Sequence, residues 1–156
     1  MTFQIHALPV DVISGLKDLT EAELEARSIR RVTAIARPGF PCRVSLQDAA
    51  IGETLYLLNY THQPADTPYR AAHAIFVREA ARQAFPAAGE IADVLKARPL
   101  SLRGYDKHHM MIQTELAEGE DVARKLDAMF ADTEVEYIHQ HNSSPGCYAA
   151  RATRSV

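Results

Sequence analysis

The sequence of 156 residues contains only two cysteines, Cys42 and Cys147, and neither belongs to a Cys-x-x-Cys pair. No stretch approaches the roughly 20 consecutive apolar residues that a membrane-spanning helix needs. Residues 1–6 lack the basic start and the apolar core of a secretory signal peptide. These absences predict a cytoplasmic protein without a membrane partner. Its cysteines are expected to stay reduced rather than to form a structural disulfide.

Concentrated positive charge is also lacking. The chain has 17 Lys and Arg against 20 Asp and Glu, for a net charge of -3, and the basic residues are scattered along it. A protein that follows the phosphates of a nucleic acid needs a basic face. Nucleic acid is therefore not expected as a partner.

The length and the hydrophobic content of 47% suit one core of ordinary size. We predict a single globular domain over residues 1–156. Thr20 and Glu23 have the spacing of a helix-capping box, and Glu120–Asp132 places apolar residues at helical intervals. Period-two patterns and short connections predict antiparallel strands. The expected fold class is α+β, a mostly antiparallel sheet with two or three helices packed on it. The predicted strands cover residues 3–8, 31–35, 43–46, 54–60, 73–78, 100–105 and 110–116, followed by a hairpin over 135–153.

The closing hairpin carries the densest group of reactive side chains. Strand periodicity puts Tyr137, His139 and His141 on one face, and a turn over residues 142–146 returns Cys147 toward His141. Side chains two residues apart on a strand are roughly 6.5 Å apart, so two imidazoles can reach one ion. A hydrogen-bonded or solvated histidine pair is the alternative. A transition-metal site would use His139, His141 and Cys147, with a fourth ligand from Cys42, His62 or His73.

Both cysteines are also candidate nucleophiles. A neighbouring histidine or cation activates a thiol, and Cys147 near His141 or Cys42 beside Arg43 can meet this condition. A buried structural cysteine is the alternative for both.

A second polar segment precedes the strand at Ile75. An arginine among Tyr, His and Asn side chains suits a carboxylate or phosphate group, because the guanidinium presents a planar fork of donors. Surface contacts within the loop are the alternative. The segment consists of Asn59, Tyr60, His62, Gln63, Tyr69, Arg70 and His73.

Three functions remain open from the residues alone. The first is binding or turnover of a small anionic metabolite, with Arg70 and Tyr69 on the anion. The second is transition-metal binding, and the third is a non-catalytic interaction domain. The candidate catalytic residues are His73, His139, His141 and Cys147. The candidate ligand-binding residues are Cys42, Arg43, Asn59, Tyr60, His62, Gln63, Tyr69, Arg70 and Asn142. The residues specify no cofactor, no particular metal and no oligomeric state.

These same segments resemble the bacterial proteins of domain-of-unknown-function family 1203. The resemblance implies a single stand-alone bacterial domain and carries no activity with it. The segments that carry it are residues 38–43, 58–60, 62–64, 68–79, 141–142 and 145–147.

Overall fold

The chain forms two antiparallel β-sheets in the computed structural model, which describes residues 2–156. The strands are β1 (Phe3–His6), β2 (Ile29–Thr33), β3 (Thr54–Gln63), β4 (Ala71–Arg78), β5 (Leu100–Tyr105), β6 (Met111–Ala117), β7 (Tyr137–Asn142) and β8 (Tyr148–Arg154). One sheet has five strands in the order β1-β8-β7-β5-β6, and the other has the order β2-β3-β4. The final hairpin, β7 and β8, thus lies inside the larger sheet.

Helices are few and short. They are α1 (Glu21–Ala26), α2 (Asp93–Lys96) and α3 (Asp121–Phe130), with two 3₁₀ turns at Val10–Ile13 and Leu16–Asp18. The predicted capping box is confirmed, because the Thr20 hydroxyl accepts from the Glu23 amide and the Glu23 carboxylate accepts from the Thr20 amide. No helix within residues 2–156 is long and apolar enough to cross a membrane.

The α+β prediction is wrong, because the protein is mostly β and its eight strands divide between two sheets. Helical spacing is present where it was expected, but α2 has only 4 residues and α1 has 6. The segment between β4 and β5, residues 79–99, contains Pro86 and Gly89 and forms no helix apart from α2. Successive strands were expected to join one sheet. Instead β2, β3 and β4 form a sheet of their own, and this long connection returns the chain to the sheet that contains β1.

The two larger of the three apolar cores in the described residues define the layers. Residues of α2 and α3 pack on one face of the five-stranded sheet, where Val122, Leu126 and Phe130 are fully buried. The other core joins residues of the three-stranded sheet to Tyr148 of β8, so the second face of β7 and β8 is turned toward β3 and β4. Leu58 and Ile75 are buried in this second core. The side chains of the candidate site lie near it.

Several strand boundaries differ from the prediction, and two of these differences affect the candidate site. Residues 43–46 form a turn rather than a strand, flanked by isolated bridges from Pro41 to Asp48 and from Cys42 to Phe76. Strand β3 does not end at Tyr60 but continues to Gln63 through a bulge. This extension carries His62 into the interior.

Candidate metal centre

Strand β7 presents Tyr137, His139 and His141 on one face, as its period of two predicted. The ring centroids of Tyr137 and His139 are 5.2 Å apart, and those of His139 and His141 are 6.2 Å apart. On the opposite face, Ile138 belongs to the core under α3. The alternation therefore sends one set of side chains to the apolar core and the other toward the three-stranded sheet.

His62 of β3 joins the two histidines of β7. Its ring centroid lies 5.9 Å from that of His139 and 4.8 Å from that of His141. The ring also stacks on Tyr148 of β8 at 5.6 Å with an interplanar angle of 10°. All three histidines are buried. The two sheets thus contribute to one cluster, which we call the trihistidine cluster: His62, His139 and His141.

The geometry of the cluster fits a metal ion. One ring nitrogen from each histidine lies within 4.8 Å of the others, and this is the only such group of His, Cys, Asp or Glu in residues 2–156. Nitrogens bound at about 2.1 Å to a tetrahedral ion are roughly 3.4 Å apart, so the three rings would have to approach one another further to bind one ion. Cys147, the predicted third ligand, is not part of the group. The third member is His62, which the sequence analysis had named as a possible fourth ligand.

Each ring also keeps a buried nitrogen that has no hydrogen-bond partner within residues 2–156: Nδ1 of His62, Nδ1 of His139 and Nε2 of His141. The His141 tautomer follows from its surroundings, since its Nδ1 lies 3.0 Å from the Gly146 carbonyl oxygen and must donate to it. Its Nε2 then carries a free lone pair. Metal-binding histidines are commonly oriented in this way by a carbonyl or carboxylate on the other ring nitrogen.

The electrostatics keep the rings neutral. Burial lowers the pKa of His62 to about 4 and the pKa of His139 and of His141 to about 3. Positive neighbours, including Arg103, contribute to these lowered pKa values, and at His141 the hydrogen bond to the Gly146 carbonyl opposes the lowering. A neutral imidazole is the form that binds a metal, so the ligand atoms need not lose a proton at neutral pH.

Two arginines flank His139 across the sheet. Arg103 of β5 and Arg151 of β8 are its register partners on either side. Neither forms an ion pair with a carboxylate in the described part of the chain. Arg103 donates from Nε to Ser101 Oγ at 3.3 Å, and the Arg151 guanidinium lies 4.5 Å from the centroid of the Tyr137 ring. Uncompensated positive charge beside neutral histidines favours an anion.

A cavity of about 430 Å³ opens beside the cluster. Gln63 Nε2 donates to the Tyr137 hydroxyl at 2.8 Å, and that hydroxyl lies 2.9 Å from His109 Nδ1. These contacts fix the polar wall opposite the histidines. The lining consists of Tyr60, Thr61, His62, Gln63, Pro64, Ala65, His109, Tyr137, His139, Tyr148 and Arg151.

Other predicted site residues line a separate cavity of about 490 Å³. It collects His73, Arg43, Asn142 and Cys147, whereas His62 and His139 line the first cavity. The segment before Ile75 and the closing hairpin therefore meet, as expected, but they bound two hollows rather than one.

The remaining candidates lie outside both cavities. Asn59 is exposed on β3, and Arg70 is exposed with its Nη2 donating to the Pro64 carbonyl at 3.2 Å. The Tyr69 ring is 6.3 Å from that of Tyr105. Cys42 is 1% exposed, and its sulfur accepts from the backbone amides of Ser45 and Arg78 at 3.4 and 3.3 Å. The cations nearest the histidines are thus not the predicted Arg70.

Sequence reasoning missed Arg103, Arg151 and Tyr148. Their proximity to His139 depends on the order and register of strands from distant parts of the chain, which a single sequence does not reveal. The sequence did contain an indication that His62 belongs to a strand. The alternation Tyr56, Leu58, Tyr60 and His62 continues past the point at which the prolines had suggested a loop.

The fold and the site together define a mostly β protein of two sheets. It has a buried trihistidine cluster beside a cavity that Arg151 lines. The chain belongs to the family described as "Protein of unknown function (DUF1203)", whose model matches residues 39–154. This match confirms the resemblance seen in the sequence, and all three histidines lie within it. No curated protein and no solved structure gives a significant match.

Proposed function

We propose that this protein binds a transition-metal ion at His62, His139 and His141 and presents it to a small anionic ligand in the 430 Å³ cavity. Two observations carry the proposal: one ring nitrogen of each histidine lies within 4.8 Å of the others, and each ring has a buried nitrogen without a hydrogen-bond partner in the described chain. Leaving a buried polar atom unpaired costs about 1–3 kcal/mol. A shared ion removes that cost at three atoms together.

The donor set indicates the kind of ion. Imidazole suits zinc, copper, iron and nickel, whereas magnesium and calcium prefer oxygen ligands. Three protein ligands with a free position are typical of catalytic zinc sites, while structural zinc sites use four. An ion held by the trihistidine cluster would keep a position for water or for a ligand from the cavity.

Charge supports an anionic ligand. A divalent ion beside Arg103 and Arg151 leaves a strongly positive site, and no carboxylate joins the trihistidine cluster in residues 2–156. A carboxylate or phosphate in the cavity would balance that charge. Arg151 lines the cavity itself and is therefore the residue that we assign to the anion.

Metal binding is tested first, on untagged protein. After chelator treatment and dialysis, calorimetric titration with Zn²⁺ should give one equivalent per chain, and elemental analysis should find that equivalent after gel filtration. His62→Ala should weaken binding by at least about 100-fold, since loss of an outer partner alone costs 10–100-fold. His108→Ala, in the exposed β5–β6 turn, is the matched control and should bind normally. Unchanged zinc affinity in His62→Ala and in His139→Ala would refute the site.

The open position is tested with cobalt. Co²⁺ bound to the protein should show visible absorption bands that shift when phosphate or acetate is added. Arg151→Gln should weaken that anion effect about tenfold, the value of one charge-assisted hydrogen bond, while Co²⁺ affinity is retained. Arg124→Gln, on the exposed side of α3, is the control. An anion that binds equally well to chelator-treated protein would show that the metal takes no part in holding it.

A further inference from the structure

The second cavity contains a cluster of side chains that the proposed metal centre does not use. It measures about 490 Å³, within the range of small-molecule sites, and Cys147 and Asn142 lie at its wall with Arg43. Its remaining surface is mostly apolar. The apolar lining residues are Leu57, Ala74, Phe76, Pro99 and Pro145.

The Cys147 sulfur accepts two hydrogen bonds from side chains. Arg43 Nη2 donates at 3.1 Å and Asn142 Nδ2 at 3.3 Å. Two further bonds fix the Arg43 guanidinium, from Nε to the Tyr148 carbonyl at 2.8 Å and from Nη1 to the Pro41 carbonyl at 2.6 Å. The sulfur therefore faces a rigidly held cation.

Arg43 is unusual among the arginines near it. It is only 2% exposed, and within residues 2–156 no carboxylate forms an ion pair with it. By contrast, Arg78 pairs with Glu53 at 2.6 Å and Arg98 pairs with Asp48 at 2.5 Å. A buried charge without a counter-ion is costly. Burial lowers the pKa of Arg43, and its interaction with the Cys147 sulfur opposes that effect.

Cys42 supplies an internal comparison. It is buried too, but its sulfur accepts only backbone amides and it does not line the 490 Å³ cavity. A neighbouring arginine is known to activate a thiol, whereas a thiol in apolar surroundings is inert. Both cysteines are close enough to Arg43 to interact with its charge, but only the Cys147 sulfur is hydrogen-bonded to the guanidinium and lines the cavity.

We infer that Cys147, paired with Arg43, is a nucleophile that adds to the activated double bond of a small apolar α,β-unsaturated carbonyl compound in this cavity. Sγ forms a bond to the β-carbon as the C=C π bond breaks, and that electron pair passes to the carbonyl as an enolate. The enolate takes up the proton that the thiol gave to water. The net change is addition of S–H across the double bond, with no leaving group and no co-reactant.

The test uses N-ethylmaleimide, a conjugated carbonyl compound, on the full chain in the presence of chelator. The wild type should take up one equivalent at Cys147, located by peptide mass spectrometry, at least about tenfold faster than glutathione at the same pH. Cys42→Ser should keep this fast reaction and Cys147→Ser should lose it. Modification of Cys42 first, or a Cys147 rate no greater than that of glutathione, would overturn the inference.

The role of Arg43 is tested with one variant that removes its positive charge and one that keeps it. Arg43→Gln should slow the Cys147 reaction at least about tenfold, and Arg43→Lys should restore part of the rate, because it keeps the charge. Circular dichroism establishes that each variant is folded. If both variants unfold, Asn142→Ala decides the question, since losing one of two donors should slow the reaction several-fold. An unchanged rate in the folded variants would refute the pairing.

The apolar walls make a separate prediction about the reagent. The rate of each reagent with Cys147 is divided by its rate with glutathione. This ratio should be at least about tenfold higher for N-benzylmaleimide than for N-methylmaleimide, because moving the benzyl group from water into the apolar cavity is favourable. Equal ratios would show that the cavity does not hold the electrophile. The outcome is independent of the metal centre, since chelator is present throughout.

Discussion

Acid should destabilise the metal-free protein through the trihistidine cluster. His62, His139 and His141 have native pKa values of about 3 to 4, so they stay neutral at pH 5 in the folded protein. In the unfolded chain their pKa is near 6.5 and they bind protons. The unfolded state therefore binds more protons below pH 6.5, and stability is lost as the pH falls toward the native pKa values.

The magnitude follows from 1.36 kcal/mol per pH unit for each proton bound only by the unfolded chain. Between pH 6.5 and 5 each histidine contributes about 2 kcal/mol. His62 borders the cavity and is partly solvated, so we expect about 4–6 kcal/mol in total. This is a large fraction of the 5–15 kcal/mol typical of a folded domain. Arg103 and Arg151, the arginines beside the cluster, act in the same direction, because their positive charge opposes protonation of the rings.

Urea unfolding of chelator-treated protein at pH 7, 6 and 5 measures the effect. The free energy of unfolding should fall by the stated amount, and His139→Gln should reduce the fall by about one third because one proton is removed from the balance. His108→Gln should leave it unchanged, since that histidine is exposed. A fall below about 2 kcal/mol, or an identical fall in His139→Gln, would contradict the neutral, buried state of these rings.

Three further predictions concern the scaffold. Leu126→Ala, at a fully buried position of α3, should lower the free energy of unfolding by about 2–5 kcal/mol, whereas Leu116→Ala, at a 67% exposed position, should change it by less than about 0.5 kcal/mol. Thr20→Ala removes the cap of α1 and should cost about 1 kcal/mol in the same urea assay. Gly104→Val should lower the melting temperature, because even a Cβ at this position would lie 3.1 Å from Met129 Cε. Equal effects at the two leucines, an unchanged stability in Thr20→Ala, or a raised melting temperature in Gly104→Val would each refute the corresponding argument.

Local patterns predicted most elements of secondary structure but not the architecture. The capping box at Thr20 and the apolar spacing of α3 correspond to the observed helices, because both depend on residues a few positions apart. The division into two sheets depends on how residues 7–28 and 79–99 cross between the sheets. No periodicity in these segments reports their path, so the α+β expectation failed.

The candidate site was likewise predictable only in part. The period of two on β7 was enough to place His139 and His141 on one face, and the turn at residues 142–146 was enough to bring Cys147 back along the hairpin. The sequence offered His62 only as one of three possible fourth ligands, and it did not indicate that Cys147 would pair with Arg43. These partners come from other strands and loops, and their register is set by the packing of two sheets.

What the sequence by itself determined was the short-range part: which residues alternate, where helices begin, and which hairpin carries the reactive side chains. Spacings of two to four residues govern these features, and backbone geometry translates them directly into faces and turns. Only the tertiary structure decided that the candidate residues line two separate cavities, that Arg103 and Arg151 flank His139 and that Arg43 faces the thiol. Those neighbours are distant in sequence, and only the burial of apolar surface between the sheets brings them together.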